Sequence, residues 1–335
     1  MTPQAPPASG LRRLGAGPEV FPIALGCMGM SDLYGPADER ESIATIHAAL
    51  DHGVTLLDTG DYYAAGHNEL LIARALQDRP GRALLSVKFG ALRGPDGAWL
   101  GFDLRPAAVK NSVAYSLKRL GVDHIDIYRP GRLDPAVPIE ETIGAIAELV
   151  AAGYVRAIGL SEVGADTVRR AHAVHPLADL QIEYSLISRG PEERIFPALA
   201  TLGVGVTAYG VLSRGLLAGS RPAGPGDLRG HLPRFASGNL ERNQQIVATL
   251  RAVGADKGCT ATQLAIAWVL AKSPRIVPLV GARKRAQLTE ALGALAVRLS
   301  PDEIARIEAA VPASAVAGTR YDARQMGILD SERAS

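Results

Sequence analysis

Five short apolar runs in this chain each end on, or contain near their end, a residue that could take part in catalysis or ligand binding. The runs are VTLLD, LLSVK, RAIGLS, LQIEY and VGVTAY, and the residues are Asp58, Lys88, Ser161, Gln181 and Tyr209. If the runs are parallel strands of one barrel, all five side chains emerge at its C-terminal face, where barrel enzymes carry their active sites. The pattern therefore predicts an enzyme.

Tyr63, five residues after Asp58, completes a group with acid-base chemistry. A phenol with an ordinary pKa of about 10 is a poor proton donor at neutral pH, and a neighbouring ammonium lowers that pKa. Lys88 could do this to Tyr63, while Asp58 would keep Lys88 charged and oriented in a partly dry pocket. Together they predict a general acid whose proton is tuned for transfer near neutral pH.

These residues need a scaffold, and the order of elements along the chain predicts one. FPIALG forms a first strand that ends near Gly26, after a short hairpin over 11–20. Seven more apolar runs follow, at 54–58, 84–88, 124–128, 155–160, 179–184, 204–209 and 276–280. Helical periodicity separates them, at 39–52, 67–77, 106–120, 139–152, 165–174, 191–202 and 283–294, with extra C-terminal-half helices over 242–257 and 260–272. This order predicts an α/β fold, a closed (β/α)₈ TIM barrel.

A doubly wound sheet is the competing fold. The first strand-to-helix junction, GCMGMSDLYG, carries no GxGxxG, so a Rossmann-type phosphate turn is missing and the barrel is favoured. We expect one domain over 1–335, with a core of about 10–312, a leader at 1–9 and a tail at 313–335 without a strong pattern. The segment 211–241 is rich in Gly, Pro and Arg and is typical of a functional or disordered loop.

The composition points to a small-molecule enzyme. A net charge of +2 gives no reason to expect a nucleic-acid or membrane partner, and the oligomeric state is left open. Cys27 and Cys259 fit no metal-ligand spacing, so no metal is expected. Because the N-terminus lacks a signal-peptide core and no apolar run is long enough to span a membrane, a cytoplasmic location is expected.

The motif DTGDYYAAGHNE, followed by LLSVKFG, resembles the aldo-keto reductases, which have an Asp, a Tyr five residues later and a Lys at the end of the next strand. GLSEV, LQIEYS, AYGVLSRGLLAG and VPLVGARKRAQLTEA match in the same order, so the resemblance covers about residues 10–310. It implies NADPH (NADP⁺) as cofactor and reduction of an aldehyde or ketone. Asp58, Tyr63 and Lys88 would be the catalytic residues.

The resemblance also implies the residues that hold the cofactor. Tyr209 would stack on the nicotinamide, and its carboxamide would bond to Ser161, Glu162 and Gln181. The pyrophosphate would be wrapped by Leu212, Ser213, Arg214 and Gly215, and the adenosine faced by Gln287 and Glu290. The remaining assigned positions are Gly26, Cys27, Met28, Asp58, Gly210, Gly281 and Arg283.

Three consecutive basic residues, Arg283, Lys284 and Arg285, open the helix after the eighth strand. Cations at the positive end of a helix dipole are mildly unfavourable unless an anion is bound, which predicts a phosphate such as the 2′-phosphate of NADPH. A solvated basic turn is the alternative. Ala291 stands where the family often has an Asn, which puts an adenine contact there in doubt.

One family position departs from the pattern. The family's fourth catalytic residue is a His in a run resembling YIDLYYQHRVDP, and this chain has HIDIYRPGRLDP, with Gly131 at that position. Glycine offers no side-chain donor and leaves room in the pocket. His231, in the loop 211–241, could fold over the pocket instead, although a solvated loop His is the alternative. Trp99 and Phe102 are candidates for an aromatic pocket wall.

The missing His leaves three interpretations open. The chain could reduce carbonyls with Tyr63 and a water molecule in the vacated space. It could reduce a C=C or C=N bond, whose protonation does not need the His. It could instead bind NADPH as a redox sensor or partner subunit with little turnover.

Overall fold

The structure is a computed structural model that describes residues 10–31, 34–224 and 226–333. Eight parallel strands close into a barrel, which confirms the predicted (β/α)₈ fold. The barrel strands are β3 (Ala24–Gly26), β4 (Leu56–Gly60), β5 (Leu84–Phe89), β8 (Ile125–Pro130), β9 (Val155–Ser161), β10 (Leu177–Glu183), β11 (Gly205–Tyr209) and β12 (Ile276–Gly281). Each strand pairs with its chain neighbours, and β12 pairs with β3 to close the ring.

The barrel strands are buried on both faces, which explains their apolar sequences. Every residue of β4 and β10 is buried, which fits their largely apolar sequences. Among the described residues, no helix is long and apolar enough to cross a membrane.

Helices cover the outside of the barrel close to the predicted bounds. They are α1 (Glu39–Asp51), α2 (His67–Leu76), α3 (Pro106–Leu120), α4 (Ile139–Ala151), α5 (Ala165–Val174), α6 (Ile195–Leu202), α7 (Asn239–Asp256), α8 (Ala261–Lys272), α9 (Arg285–Leu292), α10 (Pro301–Ala310) and α11 (Ala323–Ile328). The Thr260 side chain caps α8 by accepting a hydrogen bond from the Gln263 N–H, as its residue type predicts. The helix predicted from residue 191 starts at Ile195, because Gly190–Glu192 forms a separate 3₁₀ turn.

The predicted N-terminal hairpin, β1 (Arg12–Arg13) with β2 (Glu19–Val20), covers the bottom of the barrel. Leu14 at its turn is fully buried, and the Ala16 N–H donates to the Leu177 carbonyl. Gly15 has a φ of +45°, and a Cβ there would lie 2.4 Å from the Ala178 carbonyl oxygen. Glycine is therefore required at this turn.

Sequence periodicity did not predict the structure of three segments above the barrel. Residues 91–102 form a second hairpin, β6 (Ala91–Arg93) with β7 (Trp99–Phe102). The described part of the loop 211–241 is built from 3₁₀ turns around the buried side chain of Arg234, while His231 is exposed. The tail folds back onto the barrel, where the Asp330 carboxylate accepts a hydrogen bond of 2.8 Å from the Gly164 N–H.

Candidate active site

A buried ion pair between Lys88 and Asp58 lies at the C-terminal end of the barrel. The two residues come from the adjacent strands β4 and β5, where Asp58 pairs with Ser86 and Lys88 with Gly60, and each is only 3% exposed. The Lys88 ammonium donates to Asp58 Oδ1 and, at 2.8 Å, to the Thr59 carbonyl. A charge buried this deeply requires such partners, so the pair holds Lys88 in one orientation.

The second oxygen of the Asp58 carboxylate has two further donors. Ser86 Oγ donates at 2.7 Å and Gln181 Nε2 at 2.8 Å. Ser86 was not predicted as a site residue, although the strand alternation of LLSVK puts it on the same face as Lys88. These donors fix the carboxylate on both oxygens.

Tyr63 lies directly above the ion pair, with the Lys88 Nζ 5.1 Å from its ring centroid. The backbone turns sharply after it, since Ala64 and Ala65 have φ angles of +46° and +50°. The ring is 8% exposed, and no described residue accepts from or donates to its hydroxyl. The phenol is thus positioned with its hydroxyl available to a ligand.

The net pKa shift of Tyr63 is upward, whereas the sequence predicted a pKa lowered by Lys88. Burial of the ring, followed by the charges of Tyr62 and Asp58, raises the pKa of Tyr63 well above its ordinary value. Burial also lowers the pKa of Lys88, whose ammonium is engaged by Asp58 and Thr59. Tyr63 therefore stays protonated at neutral pH and is a donor in this arrangement.

The space expected at Gly131 is filled. A Cβ on residue 131 would lie 2.9 Å from the Tyr62 hydroxyl oxygen and 3.2 Å from its Cε1. The Tyr62 ring packs edge-on against Tyr63, with centroids 5.0 Å apart, and against Trp99 at 5.7 Å. Trp99 thus packs against Tyr62, while its role in a pocket wall stays a prediction, and Tyr62 is a residue of the barrel mouth that the sequence did not reveal.

Arg132 is another residue that sequence reasoning missed. Its Nη1 donates to the Gly131 carbonyl at 2.7 Å and to Ser161 Oγ at 3.3 Å, and its Nη2 donates to the Tyr321 hydroxyl at 3.4 Å. Within the described ranges, no carboxylate lies within ion-pair distance of this guanidinium. The barrel mouth therefore contains a cation without a directly paired carboxylate.

The residues assigned to the nicotinamide lie together beside the Lys88 and Asp58 pair. Gln181 contacts Asp58, and Ser161 lies at the end of β9 next to Gln181 in register. The Tyr209 hydroxyl donates to Glu162 at 2.8 Å and is 2.9 Å from the Tyr321 hydroxyl. The tail of the chain therefore contributes to the surroundings of Tyr209.

Glu162 holds the tail in place. Its carboxylate accepts from Arg320, Tyr209, Ser331 and the Glu183 N–H, and its own φ is +54°. Burial alone would raise the pKa of Glu162, but Arg320 and other donors lower it to about 2. Its assignment to the carboxamide stays a prediction, because both carboxylate oxygens already have protein donors.

The turn assigned to the pyrophosphate has the backbone geometry of an anion site. Ser213, Arg214 and Gly215 have consecutive φ angles of +46°, +55° and +89°. The backbone N–H groups of Leu212 and Arg214 have no acceptor among the described residues. N–H groups left open by a turn of this kind suit phosphate oxygens, so the chain fits this part of a dinucleotide.

At the other end of the assigned site, the basic triplet is already partly engaged. Arg283 Nη1 donates to the Tyr34 carbonyl at 2.9 Å. The Arg285 side chain and backbone N–H both donate hydrogen bonds to the Glu41 carboxylate. Lys284 is exposed at the position before α9. A protein carboxylate therefore supplies the anion that the sequence pattern predicted at this helix terminus.

The other assigned positions border these groups. Gly26 pairs in register with Gly281 and with Asp58, and the Cys27 N–H donates to the Asp58 carbonyl. The Gln287 side chain accepts from the Arg283 N–H at 3.0 Å. Met28 follows Cys27, Gly210 follows Tyr209, and Glu290 accepts a hydrogen bond of 3.0 Å from Thr260.

A (β/α)₈ barrel whose mouth places a tyrosine over a buried lysine and aspartate pair is the fold and arrangement that the sequence motifs predicted. The profile of the aldo/keto reductase family matches residues 22–312. This chain belongs to the aldo/keto reductase family, as its motifs indicated. It is an oxidoreductase that uses a nicotinamide cofactor.

Known relatives agree with this assignment. The chain is 41% identical over 311 residues to "Probable aldo-keto reductase 1" of Glycine max, covering 90% of this chain and 89% of that protein. The glycerol dehydrogenase AKR11B4 from Gluconobacter oxydans has a TM-score of 0.82 at 29% identity, over 92% of this chain and 97% of that one. The thermostable aldo-keto reductase Tm1743, solved with the inhibitor epalrestat, has a TM-score of 0.73 at 27% identity, over 90% of this chain and 99% of that one.

Proposed function

We propose that this protein is an NADPH-dependent reductase of an aldehyde or ketone, which also catalyses the reverse oxidation of the alcohol. The observation that carries the proposal is the free, protonated hydroxyl of Tyr63 above the Lys88 and Asp58 pair. This arrangement supports proton delivery to an oxygen atom in the barrel mouth.

Each residue of the group has one part in the reaction. When bound, the reduced nicotinamide supplies a hydride to the carbonyl carbon. Tyr63 gives its hydroxyl proton to the carbonyl oxygen, and the phenolate that remains is stabilised by the Lys88 ammonium below its ring. Asp58 keeps that ammonium charged and fixed in position. In the oxidation, the Tyr63 phenolate accepts the proton of the alcohol.

The open N–H groups of Leu212 and Arg214 support binding of the pyrophosphate, and Ser161, Gln181 and Tyr209 surround the place proposed for the nicotinamide. Arg285 would bind the 2′-phosphate of NADPH once released from Glu41. This set favours NADPH over NADH, because the 2′-phosphate is an additional anion for a guanidinium to pair with.

One solved neighbour is named as a glycerol dehydrogenase, which supports testing both reaction directions. The first experiment follows NADPH absorbance with a panel of aldehydes, ketones, enones and cyclic imines, alongside NADP⁺ reduction with polyols. Wild type should turn over carbonyl compounds. Tyr63→Phe should abolish turnover and leave NADPH affinity nearly unchanged, since the ring and its packing remain.

The same experiment discriminates against the other interpretations. Turnover of enones or imines without carbonyl turnover would establish C=C or C=N reduction instead. Tight NADPH binding without turnover across the panel would favour a sensor or partner subunit. Loss of NADPH binding in Tyr63→Phe would show that Tyr63 is structural and would overturn the mechanism.

A further inference from the structure

Two phenol hydroxyls, those of Tyr62 and Tyr63, belong to rings that meet edge-on at the barrel mouth. The Cζ atoms that carry them both lie 3.4 Å from the point that a Cβ on Gly60 would occupy. Neither hydroxyl has a hydrogen-bond partner in the part of the chain that the structure describes. Hydroxyls left without partners in a largely buried place are costly unless a ligand satisfies them.

We propose that the Tyr62 hydroxyl is a second hydrogen-bond donor to the substrate carbonyl oxygen, opposite Tyr63 and in the place left by the missing side chain at Gly131. The inference rests on the proposed function, because it assumes a carbonyl substrate. It makes Tyr62 a catalytic residue that polarises the carbonyl, while Tyr63 alone transfers a proton.

The position of the hydroxyl is the first argument. The Tyr62 oxygen lies 2.9 Å from where the Cβ of a larger residue 131 would be. A donor side chain on residue 131 and a Tyr at 62 could not both occupy this space without a shift. The chain therefore carries the Tyr62 hydroxyl in place of a donor side chain on residue 131.

Rigidity is the second argument. The Tyr62 ring packs edge-on against both Tyr63 and Trp99, and the Arg93 guanidinium lies 4.6 Å from the Trp99 ring centroid. A donor held in this way needs no rearrangement as charge develops on the substrate oxygen, which is the condition for oxyanion stabilisation. The hairpin of β6 and β7 thus acquires a role in catalysis through Trp99.

The electrostatics separate the roles of the two phenols. Burial raises the pKa of Tyr62, against the opposing charge of Arg132, so the hydroxyl keeps its proton and donates a hydrogen bond. Tyr63 differs because the Lys88 ammonium lies under its ring and stabilises its phenolate.

The hydride forms the new C–H bond, the C=O π electrons move to oxygen, and the Tyr63 O–H breaks as the new O–H forms. Tyr62 is unchanged at the end.

The test is Tyr62→Phe, which removes one oxygen and keeps the ring. With 4-nitrobenzaldehyde and NADPH, we expect kcat to fall roughly 10²–10³-fold, the effect of losing one preorganised donor. KM and the dissociation constant of NADPH should change little. The primary isotope effect with 4-deuterated NADPH should become fully expressed, because hydride transfer is the step that is slowed. Tyr154→Phe, at an exposed tyrosine, is the matched control and should behave as wild type.

A swap provides a second, independent measurement. Gly131 does not have a positive φ, so its backbone accepts a side chain. Gly131→His alone should be destabilised by contact with Tyr62, whereas Gly131→His combined with Tyr62→Leu should be clearly more active than Tyr62→Leu alone. A double variant that folds but gains nothing would contradict the exchange of donors.

The outcomes distinguish this inference from the proposed function. If wild type is active, Tyr63→Phe is inactive and Tyr62→Phe keeps the wild-type kcat, the role of Tyr62 is overturned and the reductase stands. If wild type reduces no carbonyl compound, both are overturned.

Discussion

The Arg320 guanidinium binds both oxygens of the Glu162 carboxylate, with Nη1 to Oε1 at 2.9 Å and Nη2 to Oε2 at 2.6 Å. This bidentate pair joins the C-terminal tail to the end of β9, and both residues are buried. Tyr321, next to Arg320, thereby reaches the hydroxyl of Tyr209. The tail is thus part of the wall of the candidate active site.

The first prediction concerns the stability of this pair. Arg320→Met leaves Glu162 buried without its main cation, so the free energy of unfolding should fall by about 3–5 kcal/mol. Urea denaturation followed by circular dichroism measures it. Arg320→Met combined with Glu162→Gln should recover part of the loss, because the uncompensated charge is gone. Equal stability of the single and double variants would argue against a charge effect.

The second prediction is the acid dependence of stability. The pKa of Glu162 is about 2 in the folded protein and 4.5 ordinarily, so the unfolded chain binds the proton more readily. The stabilisation is complete above about pH 4.5 and is lost as the pH falls towards 2. Glu162→Gln should therefore show a shallower loss of stability over this range. Parallel acid titrations of the two proteins measure it, and identical slopes would refute the assignment.

The barrel and the grouping of Asp58, Tyr63 and Lys88 could be predicted from sequence because their signals are local. Apolar runs ending in Asp58, Lys88 and Tyr209 report burial on both faces of a strand and a polar side chain at its end. The approximate strand bounds followed from these signals.

The contacts that complete the site could not be predicted, because they join segments that the sequence does not pair. Gly131 revealed a missing side chain, but the Tyr62 hydroxyl fills that space from the loop after β4. Arg320 and Tyr321 lie in a tail without periodicity, and their partners are more than one hundred residues away. The burial that raises the pKa of Tyr63 also depends on this packing.

The third prediction tests the coupling of Asp58 to Lys88. Burial lowers the pKa of Lys88, and the Asp58 charge opposes that effect. Asp58→Asn removes the opposing charge, so the Lys88 ammonium loses its proton at a lower pH. The alkaline limb of the pH profile of kcat for carbonyl reduction should shift to lower pH. Ser86→Ala, which removes only one donor to Asp58, should lower activity less and shift the limb little. If the alkaline limb of the kcat profile is unshifted in Asp58→Asn, the protonation state of Lys88 does not control kcat.

The last prediction concerns Glu41, whose carboxylate accepts from the Arg285 N–H at 2.9 Å, Nε at 3.2 Å and Nη2 at 2.9 Å. A 2′-phosphate bound at this helix terminus must displace that carboxylate and would meet its charge. Glu41→Gln keeps the side-chain size and removes the charge, so NADPH should bind several-fold more tightly while NADH affinity changes little. Quenching of protein fluorescence gives both dissociation constants. Glu140→Gln, at a carboxylate paired with Arg170 on α4 and α5, is the matched surface control. Equal gains for NADPH and NADH would mean that Glu41 does not face the 2′-phosphate, and the phosphate site would have to lie away from Arg285.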